Sequence, residues 1–115
     1  MQSYPFSKTY AAGSPQDANA LQGSPIQYWG KAGVLTVYGN GNTGGDPFNL
    51  SINDGQENRN VIPQGSLLGA ASTAGKVKTN EDFIGQFPIP AGVQLILPIT
   101  PIAAGDTVNF LFVIT

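Results

Sequence analysis

The chain has 115 residues, a net charge of −2 and neither cysteine nor histidine, which excludes disulfides, thiolate or imidazole metal sites and Ser-His-Asp or Cys-His catalysis. Its length predicts one domain with a core of its own, and its five basic residues form no cluster of the kind that binds nucleic acid. Only 10% of the residues are charged, against about 25% in ordinary globular domains, so the surface repels its neighbours weakly, which suits a chain packed against other chains.

The first 25 residues are rich in proline, glycine, serine and glutamine, and they contain Tyr4, Phe6 and Tyr10. They form either a flexible leader or an extended arm whose aromatic side chains dock on a neighbouring surface and become ordered there. Because a solvated leader does not need three aromatic residues, we predict an extended N-terminal arm over residues 1–25. Within it, Ser14 has the position of a helix N-cap with proline and an acid behind it, which favours a short helix that ends by Gly23.

The N-terminus lacks a basic cluster followed by an apolar stretch, and no apolar run approaches the roughly 18 residues of a membrane span. We therefore expect a chain that is made in the cytoplasm without a signal peptide and that has no membrane partner.

From residue 26 onward the apolar residues recur with a period of two, which predicts a single antiparallel β-sandwich domain over residues 26–115. Residues 34–38, rich in β-branched and aromatic types, and residues 48–53 are the clearest strands of this part. In the second strand we expect a core face made by Phe48, Leu50 and Ile52 and a wet face made by Asn49, Ser51 and Asn53.

The segment Asn53-Asp54-Gly55 predicts a hairpin turn, since Asp and Gly accept a positive φ at low cost. Residues 56–62 are expected to return from it as a polar strand suited to a sheet edge. Residues 63–82 are predicted to be a long connection, in which residues 66–74 form either a short helical turn or an ordered surface loop.

Another strand is predicted after this connection. Phe83, Phe87 and Ile89 fall on one side of it, and Pro88 and Pro90 restrict it to a sheet edge or to an early end because proline donates no ladder hydrogen bond.

Two apolar runs, residues 93–99 and 108–114, predict a pair of buried neighbouring strands. Since the segment between them is too long for a tight turn, they either pair through a longer loop or lie in different sheets. The opposite faces also carry Ile96, Leu111 and Val113, so we expect burial on two sides, within a sandwich or against another subunit. The residues expected to face the core are Val93, Leu95, Leu97, Ile99, Val108, Phe110, Phe112 and Ile114.

The acidic residues form no recognisable catalytic or metal site, so we predict neither an enzyme nor a cofactor. Asp54 with Glu57, and Glu81 with Asp82, are neighbours in sequence only, and turn or surface roles explain them. A calcium site built from Asn53, Asp54 and Glu57 would not match the spacing of an EF-hand loop.

Residues 39–44 match the dinucleotide-binding pattern G-x-G-x-x-G and follow a predicted strand. That pattern needs a helix to begin at the loop, so that its N-terminal amides meet the pyrophosphate. Here Asp46 and Pro47 lead into another strand, so we interpret the segment as a hairpin connection.

Aromatic residues supply the remaining candidate site. Tyr28 and Trp29, with Tyr38 a short distance along the chain, would form a platform that stacks on sugars or an anchor that seats a partner protein. The alternative is that Trp29, the only tryptophan, is simply a large core residue.

This combination, a charge-poor, cysteine-free β chain rich in Gly, Asn, Ser and Thr with an aromatic-bearing N-terminal segment and a proline-rich second half, resembles small structural proteins of virus particles. Phage capsid decoration or cement proteins and minor capsid components are the nearest kinds. The resemblance extends along the whole chain and uses no diagnostic motif. It implies a sandwich, jelly-roll-like or otherwise, that assembles as a trimer or pentamer or clamps neighbouring capsomers on the capsid surface, with residues 1–25 making contacts between chains.

The sequence therefore predicts an all-β, non-enzymatic structural protein of a virus particle whose partners are copies of itself and other virion proteins. The rival hypothesis is a carbohydrate- or surface-binding module, such as the head of a fibre, which would use the aromatic platform and the loop over residues 39–46. The residues predicted to lie at interfaces are Tyr4, Phe6, Tyr10, Tyr28, Trp29, Tyr38, Leu111 and Val113.

Overall fold

The computed structural model describes residues 2–11, 15–71, 75–103 and 105–115, which contain eight β-strands and no helix. The strands are β1 (Gln2–Thr9), β2 (Tyr28–Trp29), β3 (Gly33–Gly41), β4 (Pro47–Asn53), β5 (Asn58–Leu67), β6 (Phe83–Ile89), β7 (Val93–Ile96) and β8 (Thr107–Ile114). They form a first sheet in the order β1-β8-β3-β6 and a second sheet in the order β2-β7-β4-β5, with antiparallel pairing between neighbours. The predicted all-β sandwich is confirmed.

The core lies between the two sheets and is centred on Phe110 of β8. Its ring is stacked with Phe112 and tilted against Phe48 of the second sheet, each at a centroid distance of 5.8 Å. The alternation predicted for the terminal runs is confirmed, because every residue expected to face the core is buried. Alternate apolar side chains from the two sheets therefore meet in one layer, as sandwich packing requires.

The two terminal strands do not pair with each other, so the alternative in which they lie in different sheets is confirmed. Strand β7 belongs to the second sheet and β8 to the first, and the described residues 97–103 and 105–106 lie in the crossing between them. Pro98 and Pro101 lie in this crossing and cannot donate ladder hydrogen bonds. The chain also crosses from β3 to β4 at the same end of the sandwich, so two crossings lie side by side there.

The predicted hairpin between β4 and β5 is confirmed. Asn53 pairs with Asn58 across the turn, Gly55 has a φ of +96°, and the Asp54 carboxylate accepts the backbone N–H groups of Gln56 and Glu57. Strand β5 is an edge strand, as predicted, but it continues to Leu67 and so takes up the beginning of the predicted long connection.

The face of β4 that was predicted to be wet is largely covered. Asn49 and Ser51 are buried, and only Asn53 of the three is partly open. The Asn49 Nδ2 and Ser51 Oγ atoms both donate to Asn60 Oδ1 on β5, at 3.0 and 2.9 Å. Polar side chains are tolerated in this covered layer because they form hydrogen bonds with one another across the two strands.

Strand β6 is an edge strand, as predicted, but its three apolar residues do not share one face. A register shift between Val37 and Tyr38 places Phe83 opposite Tyr38, and the two rings meet edge to face at 6.0 Å. Phe83 is therefore exposed beside Tyr38, whereas Ile89 is buried in the core and Phe87 packs against it.

Much of the stretch predicted as an N-terminal arm lies within the sandwich. Strand β1 pairs with β8 along its whole length, from Gln2 opposite Ile114 to Thr9 opposite Thr107. The short helix predicted from Ser14 does not form over residues 15–23, because the backbone N–H groups of Asp17 and Ala20 donate to carbonyls of the β7–β8 crossing. Ser14 itself lies outside the described residues. Among the residues of this stretch that the structure describes, Tyr10, Ala20 and Leu21 are buried.

The three long edge strands each contain a proline. Pro5 lies in β1, Pro63 in β5 and Pro88 in β6, and the fourth edge strand, β2, is only two residues long. Since an edge strand lacks a neighbour on one side, it tolerates a residue without an N–H group.

Deleting residues 1–25 is expected to abolish folding. The deletion removes a full strand and three buried side chains, each large one worth about 1.5–3 kcal/mol, from a domain whose net stability is on the order of 5–15 kcal/mol. Circular dichroism during urea unfolding measures this, and a truncated chain that keeps a cooperative transition at the native midpoint would show that the segment is a separable arm.

Gly39→Ala is expected to lower the free energy of unfolding by about 1–3 kcal/mol. An added Cβ would lie 2.6 Å from the Phe110 ring, which the neighbouring aromatic rings hold in place. Gly30→Ala is the matched control, since its added Cβ meets nothing within 4 Å. Urea unfolding of both variants tests this, and equal midpoints would contradict it.

Candidate functional site

A cleft of about 570 Å³ opens between β5 and β6, the edge strands that the two sheets present on one side of the sandwich. It forms because the sheets are not bridged by a strand on this side. Its apolar lining includes Phe48, Val61, Ile62, Leu68, Ile84 and Phe87.

Two large apolar side chains stand exposed among the residues that line this cleft. Leu67 of β5 is 63% exposed and Phe83 of β6 is 58% exposed. Single exposed apolar side chains are common on proteins, but a pair beside an apolar cleft is typical of a surface that another molecule covers. Leu67 is not among the predicted interface residues, because it lies in the stretch predicted to be a connection.

Two acidic residues line the cleft, and the carboxylate of one of them is held by hydrogen bonds within the chain. Glu81 and Asp82 both line it, but the Asp82 carboxylate accepts the side-chain amide of Asn40 at 3.1 Å and the backbone N–H of Lys78 at 2.7 Å. These hydrogen bonds fix the segment that precedes β6, which is a structural role.

The aromatic residues predicted as one platform lie apart. Trp29 is only 9% exposed and meets the Tyr4 ring edge to face at 5.7 Å, so it belongs mainly to the core. Tyr38 lies on the first sheet against Phe83, whereas Tyr28 is 68% exposed on β2. The alternative of a core tryptophan describes Trp29 better than the platform does.

The other predicted interface residues also contribute to the sandwich. Phe6 packs against Phe110 with a centroid distance of 6.4 Å, and Tyr10 is buried with its hydroxyl donating to Asp17 at 2.8 Å. Leu111 and Val113 are half-buried on the outer face of the first sheet, where β1 and β3 flank them. The chain itself therefore covers part of the second face of β8.

A shallow recess of about 360 Å³ lies next to Tyr28, on the side of the sandwich opposite the cleft. Gln2, Lys31 and the aromatic rings of Tyr4 and Trp29 contribute to its walls. The indole Nε1 of Trp29 has no hydrogen-bond partner among the described residues. The recess thus combines one open aromatic side chain with two polar ones.

A row of polar side chains crosses the outer face of the first sheet. Ser7 of β1 donates to Asn109 of β8, Asn109 donates to Asn40 of β3 at 3.2 Å, and Asn40 donates to Asp82 and to the Lys76 carbonyl. The row holds the segment before β6 against the sheet. Sequence reasoning missed it, although an asparagine inside each of two apolar strands was a signal.

Asp46 and Asp106 form a buried carboxyl pair where the two crossings meet, and both side chains are fully buried. Burial, reinforced by the hydrogen bond with Asp106, raises the pKa of Asp46 to about 6. Burial also opposes ionisation of Asp106, but hydrogen bonds from Thr43, Asp46 and two backbone N–H groups lower the pKa of Asp106 to about 2. Between about pH 2 and pH 6 the pair therefore holds one proton, which resides on Asp46. The two residues are far apart in sequence, so no local pattern predicts that they form a pair.

Comparison of the chain with protein-family models, with curated proteins and with solved structures finds no match. In the described parts of the chain, no helix is long and apolar enough to cross a membrane. The same residues contain no group of three or more His, Cys, Asp or Glu side chains placed to hold a metal ion.

Asn40→Ala is expected to lower the free energy of unfolding by about 1–3 kcal/mol, because it leaves the buried Asn109 side chain and the Lys76 carbonyl without their hydrogen bonds to Asn40. Asn58→Ala on the exposed start of β5 is the matched control. Thermal and urea unfolding measure the difference in stability between the two variants. Equal stabilities would contradict the prediction, because water would then replace the lost hydrogen bonds without a loss of stability.

Proposed function

We propose that the chain is a non-enzymatic structural protein of a virus particle, a capsid decoration or cement protein or a minor capsid component, that stabilises the shell through contacts between subunits. The observation that carries the proposal is the apolar cleft between β5 and β6 with Leu67 and Phe83 exposed beside it. The cleft is the surface at which a neighbouring copy of this chain docks.

The low charge of the chain supports an association between copies. With 5 basic and 7 acidic residues among 115, two copies repel each other weakly at close range. Covering Leu67 and Phe83 would contribute about 1.5–3 kcal/mol each, which is enough for these two residues to act as anchors of an interface.

The edge strands favour contacts made by side chains. Pro63 and Pro88 remove backbone donors from the two strands that flank the cleft, so a neighbour gains less from pairing its own strand with them. Side chains of the neighbouring copy instead fill the cleft. A closed ring of three or five copies forms when the cleft of each copy is filled by side chains of the next.

The contacts of three acidic residues support a role without catalysis. Asp17 is ion-paired with Lys8 and bonded to Tyr10, Asp54 fixes the hairpin turn, and Asp82 closes the polar row. Each of these carboxylates has partners from its own chain.

The rival function is that of a carbohydrate- or surface-binding module, and the recess beside Tyr28 is the observation that favours it. An exposed tyrosine ring next to Gln2 and Lys31 offers a stacking face and hydrogen-bonding groups to a sugar. Trp29 would contribute a wall of this site, whereas Tyr38 on the first sheet would take no part in it.

The two functions predict different effects of surface substitutions. We expect the wild-type chain to sediment as a homo-oligomer, and Leu67→Ser combined with Phe83→Ser to sediment as a monomer, because the substitutions remove the exposed apolar area that the neighbour covers. Tyr28→Ser is the matched control, since it also replaces an exposed apolar ring and is expected to leave the oligomer intact. Sedimentation velocity gives the masses, and circular dichroism checks that each variant is folded.

A wild-type chain that is monomeric at all concentrations and binds a glycan array in a Tyr28-dependent manner would overturn the structural role and support the module. Co-sedimentation of the wild-type chain, but not of the double variant, with virus particles would support the structural role and exclude the module.

A further inference from the structure

The two crossings between the sheets lie side by side at one end of the sandwich, and each contributes one buried carboxyl group. Asp46 ends the β3–β4 crossing, and Asp106 ends the β7–β8 crossing. We propose that Asp46 and Asp106 form a proton-dependent clasp that holds these two crossings together, and that loss of the shared proton opens this end of the sandwich.

The backbone geometry brings the two carboxyl groups together. The Ile102 N–H group donates to both of them, to Asp46 Oδ1 at 3.2 Å and to Asp106 Oδ2 at 3.0 Å. Because one N–H group reaches an oxygen of each, the carboxyl groups lie side by side in a site closed to water, where both side chains are 0% exposed. Two ionised carboxylates at this spacing would repel each other.

The hydrogen bonds around the pair decide which member is ionised. Asp106 accepts from Thr43 Oγ1 at 2.7 Å and from the Ala103 N–H at 2.8 Å, in addition to Ile102. For Asp46 Oδ2, no N–H or hydroxyl donor lies within reach among the described residues. While the pair holds one proton, Asp106 is therefore the anion and Asp46 is the acid that donates its proton to it.

The remaining charges nearby do not compensate a second anion. Tyr10 lies between this pair and Asp17: its backbone N–H donates to the Asp106 carbonyl, and its hydroxyl donates to Asp17. Burial raises the pKa of Tyr10, which keeps its hydroxyl neutral. Lys8 is the closest cation in this chain of contacts, and it is ion-paired with Asp17.

The direction of the pH effect follows from the two shifted groups. Asp46 has a pKa raised from 3.8 to about 6 in the folded chain. Its contribution to the free energy of unfolding is therefore complete below pH 3.8 and is lost as the pH rises through 6. Asp106 has a pKa lowered from 3.8 to about 2, so its contribution is present above pH 3.8 and is lost as the pH falls through 2. The clasp is therefore strongest near pH 4 and weakest above pH 6.

Urea unfolding between pH 4 and pH 7 tests the clasp. We expect the unfolding equilibrium constant of the wild type to rise about 50-fold more over this range than that of Asp46→Asn. Asparagine keeps an N–H donor toward Asp106 but has no proton to lose, and the titration of the other groups is common to both chains. Parallel pH profiles for the two chains would overturn the proposal.

Amide hydrogen exchange locates the opening. After correction for intrinsic rates, the protection factors of the Ile102 and Ala103 amides of the wild type are expected to fall up to about tenfold between pH 5 and pH 7. The Gly92 amide, which donates to the Trp29 carbonyl at the opposite end of the sandwich, is the internal reference. Equal losses at both ends would contradict a local clasp.

Two further measurements keep the proposal open to refutation if Asp46→Asn does not fold. The carboxyl carbon shift of Asp46 in the wild type is expected to titrate near pH 6, and a titration below pH 4 would overturn the shared proton. Calcium chloride at pH 7 is expected to leave the stability of the wild type unchanged. A calcium-dependent stabilisation would assign the pair to a cation site and overturn the clasp.

Discussion

The packing of Phe110 between the two sheets is the contact on which the rest of the structure depends. Its ring meets Phe112 on its own strand, Phe48 on the other sheet and Phe6 on the edge strand β1. Gly39 beside it has no side chain because a single added carbon would collide with the ring. The aromatic layer thus joins both sheets and the N-terminal strand in one core.

Local pattern was enough to predict the faces of the strands but not their partners. The alternation along β7 and β8, the Asn53-Asp54-Gly55 turn and the edge position of β6 all follow from side-chain types within a few residues. The pairing of β1 with β8 joins segments about 100 residues apart in sequence. Tyr4 and Phe6 are separated by Pro5 and flanked by serines, a pattern too short to distinguish a strand from an arm. The register shift that turns Phe83 outward is likewise absent from the pattern.

The sites were harder to predict because residue type does not distinguish a core position from an interface. Trp29 and Tyr10 are residue types that often anchor interfaces, yet both are buried in the sandwich core. Aromatic side chains occur at both kinds of position. The cleft needs the edges of two sheets to be placed side by side, and the carboxyl pair needs two crossings to meet. Neither arrangement is encoded by neighbouring residues, so Leu67, Asp46 and Asp106 became visible only in three dimensions.

The prolines of the edge strands have a consequence for the behaviour of the chain at high concentration. A charge-poor β protein with open sheet edges risks growth into fibrils, because each added strand presents a fresh edge to the next. Pro5, Pro63 and Pro88 interrupt such growth on three of the four edges, and the fourth is too short to template it. The weak surface charge permits copies to approach one another. Three residues that lack an N–H group keep such copies from pairing edge to edge.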